Sequence, residues 1–163
     1  MKKTIAAVVC AAAAALSVQA HAEDAKVLRM ACESTYAPFV FFDSETGKLK
    51  GFEIDLLEYV AKEMGRKLEV TNMGFDAIIP SMLTGITDVG ASAFTITPER
   101  AKRVLFSKPY YISGLSILVR AEDKDKIKSV KDIENCTICA QIGTSGSMRA
   151  AKVPGAKVRN FNT

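Results

Sequence analysis

Two amphipathic stretches, each ended by a glycine and each lying between short apolar runs, constrain this chain more than any other feature. Residues 53–64 place Ile54, Leu57, Tyr59, Val60, Ala61 and Met64 at helical spacing, and Gly65 ends the run. Residues 75–83 predict a second helix, closed by Gly85. Apolar runs at 27–31, 68–71 and 88–92 read as strands before, between and after these helices. A hairpin is expected from 39–42 and 49–52, with the turn residues Asp43-Ser-Glu-Thr-Gly-Lys48 between them. The order strand, hairpin, helix, strand, helix, strand predicts an α/β layer with a largely parallel sheet.

The rhythm continues downstream. Thr97-Pro98-Glu99-Arg100 is a helix start, with a threonine N-cap, proline at the first helical position and an acid in the first turn. Residues 115–119 read as an apolar strand, and the polar stretch 120–128 leads into a second unit. There, 129–134 predicts a short helix, 137–140 a strand, Gly143-Thr-Ser-Gly146 the entry to another helix, and 158–161 a further strand. At about 50 residues this second unit is thin for an independent core. No internal repeat is found.

The N-terminus reads as an export signal. Lys2 and Lys3 precede an apolar run of about 15 residues, short of the ~20 that span a bilayer, and Ala20-His21-Ala22 offers a small-x-small cleavage site. Residues 1–22 are expected to be removed by cleavage after Ala22, with Ala20 as the alternative. Cys10 follows Val9 inside the apolar run, where a lipid-attachment site would need a small residue. The expected location is therefore periplasmic.

Composition then excludes much chemistry. Of the 163 residues 48% are apolar and 25% charged, which is globular usage. The one histidine, His21, lies in the leader, so a mature chain has no histidine base, Ser-His-Asp or Cys-His site, or His-ligated zinc. Without Lys2 and Lys3 there are 20 basic against 18 acidic residues, interspersed, with no stripe for nucleic acid. Lys124, Lys126, Lys128 and Lys131 alternate with Asp123, Asp125 and Asp132, as on a solvated face. Cys136-Thr-Ile-Cys139 is a CxxC, but it opens a strand rather than a helix. The pair reads as buried strand cysteines, open to disulfide pairing, ahead of a redox or metal site, and with Cys32 the odd number leaves at least one free or intermolecular thiol. No metal or cofactor is expected.

Candidate binding residues gather at strand ends and helix starts. Arg100 lies in the first turn of a helix, where the free amides favour an anion and a guanidinium can grip a carboxylate bidentately. The same spacing suits a surface arginine beside Glu99 and Arg103. Thr95 offers a hydroxyl, and Ser92 and Ala93 offer backbone groups at a strand end, where α/β sheets place ligands. Thr144 and Ser145 lie at a second helix start, which also fits an ordinary capped turn; no Gly-Lys-Ser/Thr follows, so it is not a P-loop. Tyr36 and Phe75 could wall a ligand or belong to the core, and Glu33 could meet an ammonium group or sit in a solvated loop.

Five segments in order then carry a resemblance: Arg29-Met-Ala-Cys-Glu-Ser-Thr-Tyr-Ala-Pro-Phe39, Gly51-Phe-Glu-Ile-Asp-Leu56, Phe75-Asp-Ala-Ile-Ile-Pro80, Thr95-Ile-Thr-Pro-Glu-Arg100 and Phe106-Ser-Lys-Pro-Tyr-Tyr111. Together they resemble the periplasmic amino-acid-binding proteins of ABC importers, the family 3 solute-binding proteins. Gln141-Ile-Gly-Thr-Ser145 is similar to the family's second-lobe segment. The resemblance covers residues 26–163. It implies an α/β, two-lobed periplasmic-binding-protein-like fold of type II that closes on one amino acid. The first lobe would span 23–113 and an incomplete second lobe 114–163.

Carried over by position, Arg100 would hold the ligand carboxylate, helped by Thr95 and the amides near Thr144. Ser92 would meet the α-ammonium group through its carbonyl, and Tyr36 and Phe75 would sandwich the side chain. Glu33 would lie near the distal end and Gln141 where residue type varies with ligand. An acid and an amide there favour a polar or cationic amino acid. The expected partners are that amino acid and a membrane permease, the expected state a monomer, and no nucleic acid and no catalysis are implied. The family's chain continues past this point and supplies a further acid for the ammonium group, so a truncated, non-functional fragment is one alternative. A cyclohexadienyl-dehydratase-like enzyme with Glu33 as its acid or base is another, and a sensor lobe of a larger protein a third.

Overall fold

The computed structural model describes residues 26–163, so the expected leader, His21 and Cys10 lie outside the described residues. β1 (Val27–Cys32) is the centre of the first unit. Its burial is nearly continuous, with Met30, Ala31 and Cys32 fully covered, as expected of a strand with parallel neighbours on both sides and helices on both faces. Next come three short strands, β2 (Thr35–Tyr36), β3 (Val40–Phe42) and β4 (Leu49–Lys50), forming an antiparallel sheet in the order β2-β3-β4. Helix α1 (Phe52–Glu63) leads to β5 (Lys67–Asn72), and α2 (Phe75–Leu83) leads to β6 (Val89–Gly90). The main sheet has the order β5-β1-β6, all parallel, with Met30 opposite Val70 and Val89.

The two-residue period of β1 assigns each helix its face. Met30 and Cys32 point toward α1, where they form a core with Val40, Ile54 and Ala91. Ala31 points the other way, toward Phe75 and Ile78 of α2. At the end remote from the candidate site, Arg29 clasps Asp88 bidentately, with Nη2–Oδ1 at 2.7 Å and Nε–Oδ2 at 3.0 Å.

Thr97 caps α3 (Pro98–Ala101) as anticipated, accepting from the Arg100 amide at 3.3 Å, but this helix is a single turn. Residues 115–119, expected as a strand, are irregular: Leu115 and Ile117 are exposed and Leu118 is 99% exposed. An apolar run becomes a strand only when a neighbouring ladder takes up its amides and carbonyls, and none of the described strands does so. The short helix expected at 129–134 is a 3₁₀ turn, Val130–Ile133, whose Ser129 and Asp132 form a capping box. β7 (Thr137–Gln141), α4 (Ser145–Ala150) and β8 (Lys157–Phe161) complete one parallel strand-helix-strand unit. Only Ala150 and Val153 are buried apolar residues beyond residue 101, so the described core lies almost wholly in the first unit.

Two outcomes follow. Gly51 holds φ at +131°, and a Cβ there would meet the Phe39 carbonyl oxygen at 2.3 Å, so Gly51→Ala is expected to cost about 2–3 kcal/mol in denaturant unfolding. The hydrogen bond from Arg29 holds the Asp88 carboxyl below its ordinary range. Unfolded Asp88 titrates near pH ~3.9. The pair's stabilisation is therefore complete above that value and lost as pH falls through the lower folded value. Thermal melts across this acid range should flatten in Asp88→Asn.

Candidate functional site

The carboxyl ends of β1 and β6 meet at Glu33 and Ser92, both buried. The Glu33 amide donates to Ser92 Oγ at 3.2 Å, and that hydroxyl donates to the Glu33 carbonyl at 3.1 Å. The two strand ends are thus laced together. The Glu33 carboxylate accepts from Gln141 Nε2, which lies 2.6 Å from both carboxylate oxygens. Gln141 ends β7 and also donates to the Asn162 carbonyl at 3.0 Å, so this contact ties the second unit to the first.

Arg100 is the second tie. It is 6% exposed. Nη1 donates to the Thr95 carbonyl at 2.7 Å and Nη2 to the Gly143 carbonyl at 2.9 Å. Its guanidinium lies 5.4 Å from the Phe75 ring centroid and 5.0 Å from that of Phe94, and these rings stack at 4.4 Å. Burial pulls its pKa below the ordinary value, while a guanidinium remains charged at any physiological pH. Thr95 Oγ1 and Ser145 Oγ share a third contact at 3.1 Å. Thr144 caps α4, accepting from the Ser147 amide and donating to the Gln141 carbonyl at 2.7 Å. Beside this group opens a cleft of about 210 Å³, with Phe75, Asp76, Phe94, Arg100, Arg103 and Met148 in its walls.

Glu33, Ser92, Thr95, Arg100, Gln141, Thr144 and Ser145 therefore gather along one boundary between the two units. The two aromatic candidates do not stack on each other: Tyr36 is 53% exposed and stacks on Phe39 at 5.8 Å, whereas Phe75 stacks on Phe94. Phe94 and Glu53 are not among the candidates the sequence offers, and Gly143 is marked there only as part of a helix start. Glu53 is 1% exposed, and its carboxylate accepts from the Ala93 amide at 2.9 and 3.1 Å and from the Tyr110 hydroxyl. A signal for it existed, because Glu53 stands on the buried stripe of α1, four and eight residues before Leu57 and Ala61.

Cys136 and Cys139 differ from the expectation of buried strand residues open to pairing. All three are free; Cys32 is buried, Cys136 is half-buried just before β7, and Cys139 is exposed on it. The cause is the thinness of that layer, a two-stranded sheet in which Thr137 and Cys139 face solvent while Ile138 and Ala140 are partly covered. Burial pushes the Cys32 thiol up to about 11, with the charges of Glu53 and Glu33 adding to the effect. Among the described residues no three His, Cys, Asp or Glu side chains are placed to hold a metal, and no helix is long and apolar enough to cross a membrane. A maleimide at pH 7.5 should label Cys139 first and Cys136 more slowly; Cys32 should label only after unfolding, as read by peptide mass mapping.

A profile of the bacterial extracellular solute-binding proteins, family 3, matches residues 28–160. A probable histidine-binding protein of Campylobacter jejuni is 33% identical over 133 residues, covering 82% of this chain and 51% of that protein. Among solved structures, an ancestral arginine-binding protein bound to arginine is 40% identical with a TM-score of 0.79, covering 85% of this chain and 62% of the other. The ancestral amino-acid-binding protein AncCDT-1, described as a precursor of cyclohexadienyl dehydratase, is 43% identical with a TM-score of 0.77, covering 85% and 62%. The chain spans about half the length of the curated relatives it matches.

Proposed function

The chain belongs to the bacterial extracellular solute-binding proteins of family 3, and we propose that it captures a free amino acid outside the cytoplasm and presents it to an ABC-type permease. The observation that carries this reading is Arg100. A guanidinium has five N–H donors, and in this structure two of them go to backbone carbonyls, one from each unit. The remaining donors suit a ligand carboxylate, and the stacked Phe75 and Phe94 rings hold the cation in place. A carboxylate bound there draws on both units at once, because Thr95 and Ser145 already meet beside it.

The proposed division is a first lobe over 23–113 and a second over 114–163, acting as a monomer, with export directed by residues 1–22. Ser92 and Ala93 are proposed to receive the α-ammonium group through backbone carbonyl oxygen, and Tyr36 to cover the ligand's outer face. Glu33 with Gln141 supplies a negative and an amide group at the far end, which favours a polar or cationic side chain. That preference agrees with relatives named for histidine and arginine. We read the protein as a binding module without chemistry. Prephenate and arogenate are accordingly expected to pass through an incubation unchanged.

A thermal-melt screen against the common amino acids tests the reading. One class, cationic or polar, should raise the midpoint in a concentration-dependent way. Arg100→Ala should weaken that ligand roughly 30-fold or more by calorimetry while keeping the far-ultraviolet spectrum, since an uncompensated carboxylate is left at a half-buried site. Unchanged affinity in the variant would remove Arg100 from the site.

A further inference from the structure

One fully buried carboxylate lies outside the proposed ligand contacts. Glu53 is the second residue of α1, 40 residues before Ala93 and 57 before Tyr110, yet its carboxylate holds both. Ala93 has φ at +48°, a left-handed conformation that a non-glycine residue avoids unless its surroundings impose it. Here the Ala93 amide is aimed at both carboxylate oxygens, at 2.9 and 3.1 Å, so a charge-assisted bond fixes the strained turn. That turn follows Ser92, whose hydroxyl laces the Glu33 backbone, and precedes Phe94 and Thr95, which contact Arg100.

The third group at the carboxylate comes from elsewhere. Tyr110 lies in the irregular segment that runs from the first unit toward the second. Its ring packs on Phe52 at 5.5 Å, and the neighbouring Tyr111 meets Phe39 edge-on at 5.2 Å. Tyr110 therefore docks on the start of α1 and Tyr111 on Phe39, whose ring meets Phe52 edge-on, and the Tyr110 hydroxyl reaches inward to Glu53.

We infer that Glu53 is a positioning residue, which sets the Ser92 and Ala93 backbone for ligand binding and couples it to the connecting segment through Tyr110. The consequence for affinity rests on the amino-acid-binding reading; the coupling itself does not. Tyr110→Phe keeps the ring on Phe52, and with it the run of rings from Phe52 through Phe39 to Tyr36, so a change in affinity on removing the hydroxyl alone reports its bond to Glu53.

Tyr110→Phe removes one hydroxyl from a half-exposed side chain and should leave the melting midpoint within a few degrees. In the ligand-free chain the Ala93 amide proton should shift in an ¹⁵N-edited spectrum, because its carboxylate acceptor loses a competing donor. Affinity for the amino acid found in the thermal screen should fall roughly three- to tenfold. Glu53→Gln should do likewise, and the double variant should be less than additive, the mark of two residues on one network. An unmoved Ala93 resonance in Tyr110→Phe overturns the coupling whether or not any ligand binds. Additive affinity losses, or wild-type affinity in both single variants, overturn the positioning role. Failure of the unaltered chain to bind any amino acid would instead overturn the binding reading, and the Ala93 shift would still decide the coupling.

Discussion

Charged groups taken out of water at the strand ends set the terms for the rest of this structure. Glu33, Glu53 and Arg100 are each less than 10% exposed, and a buried charge without partners costs several kcal/mol. Each has therefore been supplied with donors or acceptors from distant parts of the chain. Glu33 takes an amide from β7, Glu53 takes a strained backbone N–H and a tyrosine, and Arg100 takes two carbonyls and two aromatic rings. Among the described residues no buried side-chain polar atom lacks a partner. The fold around these groups can be read as the scaffold that meets that requirement.

The same pairing explains how two unequal units stay together. The second has almost no apolar core of its own, with Ala150 and Val153 its only buried hydrophobic residues. It is held to the first by polar contacts that reach back from Gln141, Gly143 and Ser145. Polar contacts exchange readily with ligand groups of the same chemistry, whereas a packed apolar interface would not. A boundary of this kind suits a device that opens and closes around a polar guest.

Much of the first unit was legible because its signals are local. The stripe of Ile54, Leu57 and Ala61 and the closing glycines mark the helices, and the apolar run ending at Cys32 marks the central strand. Thr97-Pro98 announced its cap for the same reason. What failed was non-local. The run at 115–119 looks like a strand in isolation, but a strand is completed by a neighbour that its own residues do not specify. The place of Glu53 on the buried stripe of α1 marks it locally as an acid in need of partners, but not which ones, because Ala93 and Tyr110 lie 40 and 57 residues away. Cys139 was expected to be buried because alternation indicates two faces without saying whether both are covered. Arg100 and Glu33 are candidates from a helix start and a strand end, but local spacing suits a surface arginine as well and a solvated loop acid better, and their roles at a ligand come from the resemblance.

The position of β1 at the centre of its sheet has a consequence for how the chain is made. The strand emerges first among the described elements, yet its neighbour β6 lies far downstream: Glu33 and Ser92, which close the pair, are 59 residues apart. At 5–20 residues per second, synthesis takes roughly 3–12 s to cover that distance, far longer than a helix needs to form. During that interval α1 can form while β1, the most deeply buried of the described strands, remains without its full set of partners. Sheet closure is therefore a late event, set by chain length rather than by local propensity. A polypeptide assembled in this order stays extensible well after its first helix exists.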